Sequence, residues 1–316
     1  IIAYNIGNNL AETSKIIKRR FKIKVPEKTI YSWVKEFDKI CSYYRVRAKA
    51  IKLFKPKDII FKKIFRHLQL YKLRYHKAKI KFFIKDYFNA LKNYLVRVSE
   101  NCPNELFKDS ARVSNIKLNL DFSKIKVFKK DNYACLLASL ALESASKNSE
   151  RHDKLQEFML VNDTCTIATE VPVYLFLGEI KHYGIFGLFE NSIKNKINQL
   201  GGNGLPALNS VSNALQLSAS PLTRGHLPPV NVADNSAITG HIDFVQLKFG
   251  SIYVLDYKPE ASKVDDVSQL FVYALALSVR TGIWLRNFRC PTCEARKTRS
   301  PCHWFDENSY YEFVPS

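Results

Sequence analysis

The chain has 316 residues, a hydrophobic fraction of 46%, and 49 Lys+Arg against 29 Asp+Glu, for a formal net charge of +20. It is apolar enough to build real cores, and its length suggests two domains or one domain with an appendage. No stretch reaches the ~18 uncharged apolar residues of a membrane span, and Ile1–Leu10 lacks the basic start and apolar run of a secretory signal, so membrane and secreted classes are not expected.

The only Met is Met159, so the chain reads as a fragment or a processed product. Its seven cysteines are odd in number, and only Cys290, Cys293 and Cys302 cluster. That is no disulfide framework and suits a reducing, cytoplasmic compartment. The charge is unevenly placed. Residues 1–100 hold 26 Lys+Arg and 7 Asp+Glu, and residues 101–316 hold the remaining 23 and 22. A basic excess confined to one third of the chain points to a polyanion partner, nucleic acid first. An acidic membrane surface and a solubilising charge coat are the alternatives, and charge alone does not separate DNA from RNA.

Residues 1–40 read as a helix-turn-helix. One helix is predicted over Leu10–Phe21 and a second from Glu27 to Phe37, with Pro26 at its first turn. Ile30, Trp33, Val34 and Phe37 share one face by their spacing of three and four, leaving Lys28, Thr29, Ser32 and Lys35 on the other. A second helix of this kind enters the major groove, so these four are the candidate DNA contacts; an ordinary helical hairpin is the alternative. Residues 41–115 are expected to be a basic helical connector, with aromatics inside and cations outside. Its end, from Asn101 to Asn115, reads as a linker.

Residues 116–316 form the predicted catalytic domain. Helices are expected over Tyr133–Ser146 and His152–Leu160, and a strand over Thr166–Leu177. Residues 192–238, rich in Asn, Gly, Ser and Pro, read as a loop insertion. Two apolar runs then flank Gly250-Ser251, a good two-residue hairpin turn. Pairing Phe249 with Ile252 puts Asp243 opposite Lys258, and Asp256 shares that face. Two adjacent carboxylates repel, and unpaired burial is costly. A Mg²⁺ or Mn²⁺ ion resolves this, since Asp oxygens are hard ligands. A surface salt-bridge cluster is the bland alternative.

At these residues, about 150–280, the chain resembles the RecB-like branch of the PD-(D/E)XK nucleases. Gly240-His241-Ile242-Asp243 resembles the family's first metal Asp, Asp256-Tyr257-Lys258 its D/E-x-K element, and Gln269 with Tyr273 its Gln-x-x-x-Tyr helix. Glu170 resembles the acidic residue of the first core motif and His152 the helical His that completes the metal shell in this branch. The resemblance implies an α/β fold with a restriction-endonuclease-like mixed sheet flanked by helices. It also implies metal ligation by Asp243, Asp256, Glu170 and His152, and DNA positioning by Gln269 and Tyr273. The separation of about 70 residues between Glu170 and Asp243 departs from compact members of the family.

Cys290, Cys293, Cys302 and His303 carry donors for a Zn²⁺ ion, with no metal as the alternative because the eight residues between Cys293 and Cys302 are a loose spacing for a site. The RecB-like resemblance also implies an iron–sulfur alternative, with Cys135 as the fourth ligand. Residues 304–313 read as a final hairpin. The function expected from the whole is metal-dependent hydrolysis of DNA phosphodiesters in a mobile-element, recombination or repair setting, by an enzyme tethered to DNA through its N-terminal segment. The rivals are a catalytically silent DNA-binding regulator on a nuclease scaffold and an RNA-processing nuclease.

Overall fold

The structure is a computed structural model that describes residues 1–38, 44–84, 86–115, 125–182, 237–248, 250–263, 267–285 and 302–315. The predicted insertion at 192–238 lies outside the described residues except for its last two. The chain forms one mixed α/β architecture around a nine-stranded open sheet. The strands are β1 (Ile60–His67), β2 (Gln69–His76), β3 (Ala111–Arg112), β4 (Ile125–Lys130), β5 (Thr166–Phe176), β6 (Ala237–Lys248), β7 (Ser251–Tyr257), β8 (Cys302–Phe305) and β9 (Tyr310–Pro315). Their order is β1-β2-β5-β6-β7-β8-β9-β4, with β3 paired to β6 off this path. The β3–β6 and β7–β8 pairs are parallel; the others are antiparallel.

The N-terminal helices are α1 (Ile2–Asn5), α2 (Leu10–Phe21), α3 (Glu27–Glu36), α4 (Tyr44–Leu53) and α5 (Pro56–Ile59). A reciprocal capping box between Asn9 and Glu12 starts α2, and Lys22 ends it in the left-handed region at φ 62°. Ser14 Oγ donates to the Val25 carbonyl at 2.6 Å, fixing the turn between α2 and α3. Asn5 Nδ2 donates to Asn162 Oδ1 at 2.7 Å, tying this segment to the sheet domain.

The expectation of continuous helix through the basic connector is wrong. Residues 60–76 form the β1–β2 hairpin, and β2 joins the central sheet through Arg74↔Thr169 and Tyr75↔Ala168. Helices α6 (Lys77–Phe83), α7 (Asn89–Glu100) and α8 (Leu106–Asp109) follow. The stretch read as a linker is also structured: Cys102, Phe107 and Val113 are buried in the main core and β3 pairs with β6.

The remaining helices are α9 (Tyr133–Leu142), α10 (Arg151–Asn162), α11 (Leu177–His182) and α12 (Val267–Thr281). Alternate residues of β7 divide between two cores. Ile252 and Val254 pack with α7 and α12, whereas Tyr253, Leu255 and Tyr257 pack with α9 and α10. Helices therefore cover both faces, and β6 and β7 are almost wholly buried, as near-continuous apolar strands require. Lys79 is fully buried and donates from Nζ to the carbonyls of Leu160, Asp163 and Thr166, closing the turn from α10 into β5. Among the described residues, no helix is long and apolar enough to cross a membrane.

Candidate active site

Three adjacent strands bring the carboxylates together. Glu170 stands on β5, Asp243 on β6 and Asp256 on β7. The pairs Thr169↔Phe244 and Val171↔Ile242 bracket Glu170 and Asp243 across β5–β6. On the other side, the Tyr257 N–H donates to Asp243 Oδ2 at 3.0 Å. The hairpin register differs from the expected one. Lys248 pairs with Ser251 and Phe244 with Leu255, so the closing turn is one residue earlier and Asp243 falls beside Asp256 rather than Lys258. The slip is two residues, so the faces are kept. Gly250, at φ 69°, accounts for the turn's position.

Glu170 has φ 51°, a left-handed backbone inside a strand, which costs a non-glycine residue about 1–3 kcal/mol. At the same level the alternation of β6 breaks, since Ile242 packs in one core and Phe244 in the other. Glu170 Oε1 accepts from Gln156 Nε2 at 2.7 Å, while its buried Oε2 has no hydrogen-bond partner among the described residues. Burial, then the charge of Asp243, pushes the Glu170 carboxyl up to about 7. Burial opposes the Asp243 charge as well. The hydrogen bond and charge of His152, the Tyr257 amide and a hydrogen bond with Asp256 nevertheless hold its pKa below the usual carboxylate value. Within the row, Glu170 is thus shifted toward its proton and Asp243 toward its charge.

Helices complete the site. His152, in the first turn of α10, has Nδ1 3.4 Å from Asp243 Oδ2. Burial lowers its pKa, but Asp243 and Glu170 outweigh that and raise it above the ordinary value. Gln156, missed by the sequence reading, lies one turn from His152, so i,i+4 spacing could have found it. Lys258 Nζ lies 2.8 Å from Asp256 Oδ2. On α12, Gln269 Nε2 reaches both Asp256 Oδ2 and Tyr273 Oη at 3.2 Å. All six expected catalytic residues therefore meet, with His152 beside them.

These groups line a cavity of about 450 Å³ whose far wall is Gln69, Leu70, Tyr71 and Lys72 of β2 with Arg112 of β3. Sequence reasoning missed that wall. It is braced by Asp153 of α10, which pairs with Lys72 at 2.9 Å and with Arg74. Behind it, Tyr71 stacks on His241 at 3.5 Å between ring centroids.

The donor chemistry suits a hard divalent cation: three carboxylates on neighbouring strands, one with an unsatisfied oxygen and a strained backbone. As they stand, the side chains turn toward His152, Lys258 and Gln269, and among the described residues no three His, Cys, Asp or Glu meet a ligating arrangement. A cation at this place would compete with those donors for the same oxygens.

The C-terminal donors are arranged differently from the expectation. Cys302 and His303 are neighbours on β8 and face opposite ways. Cys302 Sγ donates to Leu270 O of α12 at 3.4 Å, while His303 stacks with Tyr253 and Tyr310 on the other face. As placed, the two side chains do not converge on one point. Cys135 packs with the α9–α10 core, on the face away from Cys302, and burial raises its thiol to about 11. Cys290 and Cys293 lie outside the described residues. On α3, Lys28, Ser32 and Lys35 are exposed and Thr29 is half-buried, while Ile30 is buried; Trp33, expected on the same face as Ile30, is exposed. Comparison of the chain with protein-family models, with curated proteins and with solved structures gives no match.

Proposed function

We propose that the chain is a metal-dependent deoxyribonuclease of the PD-(D/E)XK type, built on a restriction-endonuclease-like sheet and tethered to DNA by a helix-turn-helix formed by α2 and α3. The observation that carries this reading is the row Glu170–Asp243–Asp256 on three adjacent strands, with Lys258 on Asp256 at 2.8 Å. Asp243, Asp256 and Glu170 would hold Mg²⁺ or Mn²⁺, with His152 as a fourth donor. The bound ion supplies a water of lowered pKa and a Lewis acid for the phosphoryl oxygen.

The chain's own residues do the rest. Lys258, on Asp256 at 2.8 Å, would stabilise the charge developing on the reacting phosphate. Gln269 and Tyr273, one turn apart on α12, orient the substrate backbone. Glu170, whose carboxyl is pushed up to about 7, keeps its proton in about half of the molecules near pH 7 and so limits repulsion within the row. The exposed Lys28, Ser32 and Lys35 contact DNA and raise the local concentration of substrate.

The test is incubation of circular and linear plasmid with the native chain in Mg²⁺, Mn²⁺ or EDTA, with an RNA of equal length in parallel. The reading expects metal-dependent loss of DNA, and cutting of the circle would mark internal cleavage. Binding without cutting in either metal would favour a silent regulator. Preferential loss of RNA would favour an RNA-processing enzyme.

A further inference from the structure

The β1–β2 hairpin has apolar side chains where a soluble protein has little use for them. Ile64, Leu68 and Leu70 are 54%, 65% and 63% exposed. They cluster at one end of a two-stranded ribbon, because Arg66 pairs with Leu70 and Ile64 with Lys72. Lys62 and Arg66, on the face of Ile64 and Leu70, are exposed beside them, and Lys63 is exposed on the opposite face. The tip itself is Leu68, with φ 60°. Glycine takes that backbone freely, whereas leucine is strained in it. An exposed, strained leucine at a hairpin tip contributes nothing to the core.

The tip is also firmly held. His67, one residue before Leu68, turns inward. Its Nδ1 lies 3.0 Å from His241 Nε2, its Nε2 lies 2.7 Å from Asn104 Oδ1, and its ring stacks on Phe107 at 4.2 Å. His241 is two residues before Asp243 on β6. Leu68 is therefore fixed relative to the carboxylate row. The hairpin residues Gln69 to Lys72 continue from the tip into the wall of the catalytic cavity.

We propose that this hairpin is a wedge. Leu68 and Leu70 enter between base pairs of a duplex beside the scissile phosphate, and Lys62, Lys63 and Arg66 hold the flanking phosphates. Apolar side chains inserted at a base step unstack it, and cations beside them supply sequence-independent affinity. The substrate class is then DNA in which base pairs open next to the cut: an end, a flap or a fork. The occupant is nucleic acid because the exposed apolar side chains are flanked by Lys62 and Arg66 on their own face and by Lys63 on the other, in the third of the chain that holds nearly all the net charge.

This inference rests on the nuclease reading for its place beside the scissile bond, but its test needs no cleavage. A duplex with 2-aminopurine at its terminal pairs is titrated with the full chain in EDTA, and fluorescence reports unstacking. The native chain is expected to raise the signal and to bind a pre-opened fork more tightly than the blunt duplex, on the order of tenfold, because the fork needs no unstacking. The variant Leu68→Ser/Leu70→Ser is expected to leave the signal at the level of free DNA even at protein concentrations that saturate the fork. Leu68→Gly, which relieves the backbone, is expected to lose signal with no fall in Tm, an outcome a purely structural role would not give.

No rise in signal with the native chain, or an equal rise with both variants, overturns the wedge. So does a dimer in sedimentation that Leu68→Ser/Leu70→Ser abolishes with the DNA signal unchanged, since the tip is then a protein interface. Base opening without cleavage in Mg²⁺ or Mn²⁺ would remove the nuclease reading and keep the wedge; cleavage without base opening would do the reverse.

Discussion

Gly240 and Tyr273 compete for one place: a Cβ built on Gly240 would overlap Tyr273 Cε1. The glycine of the Gly-x-x-Asp stretch therefore has a packing reason. Its missing side chain lets α12 bring Tyr273, and with it Gln269, against β6 three residues from Asp243.

Gly240→Ala is expected to push Tyr273 aside and destabilise the chain by about 1–3 kcal/mol, the range for overpacking a close contact. Tyr273→Ala in the same chain should recover part of that loss. Denaturant unfolding of the two single variants and the double variant reads the coupling. Strictly additive effects would mean that the two positions do not compete.

Glu170 makes stability depend on pH. Its folded pKa is raised from 4.5 to about 7 by burial, then by Asp243. A raised acid gives stability that is intact below its unfolded value and lost as pH rises through the folded one. Unfolding in EDTA should therefore show Glu170→Gln gaining on the native chain between pH 4.5 and pH 8, by about 3 kcal/mol at most. At pH 8, Mn²⁺ should raise the Tm of the native chain more than that of Glu170→Gln. An equal gain at both pH values would contradict the buried, proton-favouring carboxyl.

The N-terminal cations act through phosphates. Lys28→Ala and Lys35→Ala should each flatten the slope of log K against log salt by about 0.9 for duplex DNA, with similar loss on unrelated sequences. Fluorescence anisotropy across a salt series reads this. An unchanged slope in both variants would remove α3 from the DNA surface.

The grouping of the candidate site residues was more legible in the sequence than the frame around it. Asp-x-Lys and Gly-x-x-Asp flank a glycine turn, so strand periodicity alone brought Asp243, Asp256 and Lys258 together, even with the register two residues out. Helix α2 was legible to its ends because Asn9 and Glu12 cap it and a left-handed Lys22 stops it. The β1–β2 hairpin was not. Its run Ile60-Phe61-Lys62-Lys63-Ile64-Phe65-Arg66-His67 alternates poorly, and a leucine stands where a turn glycine would signal the tip. Asn101–Asn115 looked like a linker because its core contacts, Cys102, Phe107 and Val113, are few and widely spaced. The opposed directions of Cys302 and His303 were not read, although adjacent residues of a strand face opposite ways.

The measurement that tests the central claim most directly is plasmid cleavage in Mg²⁺ and Mn²⁺ by the native chain, Asp256→Ala and Lys258→Ala, with DNA affinity measured beside it. The account predicts cutting by the native chain alone, a loss of about 10²-fold or more in each variant, and DNA affinity changed far less than rate. Undiminished cutting by Asp256→Ala and Lys258→Ala would contradict it, because the carboxylate row and its lysine would then have no part in the reaction.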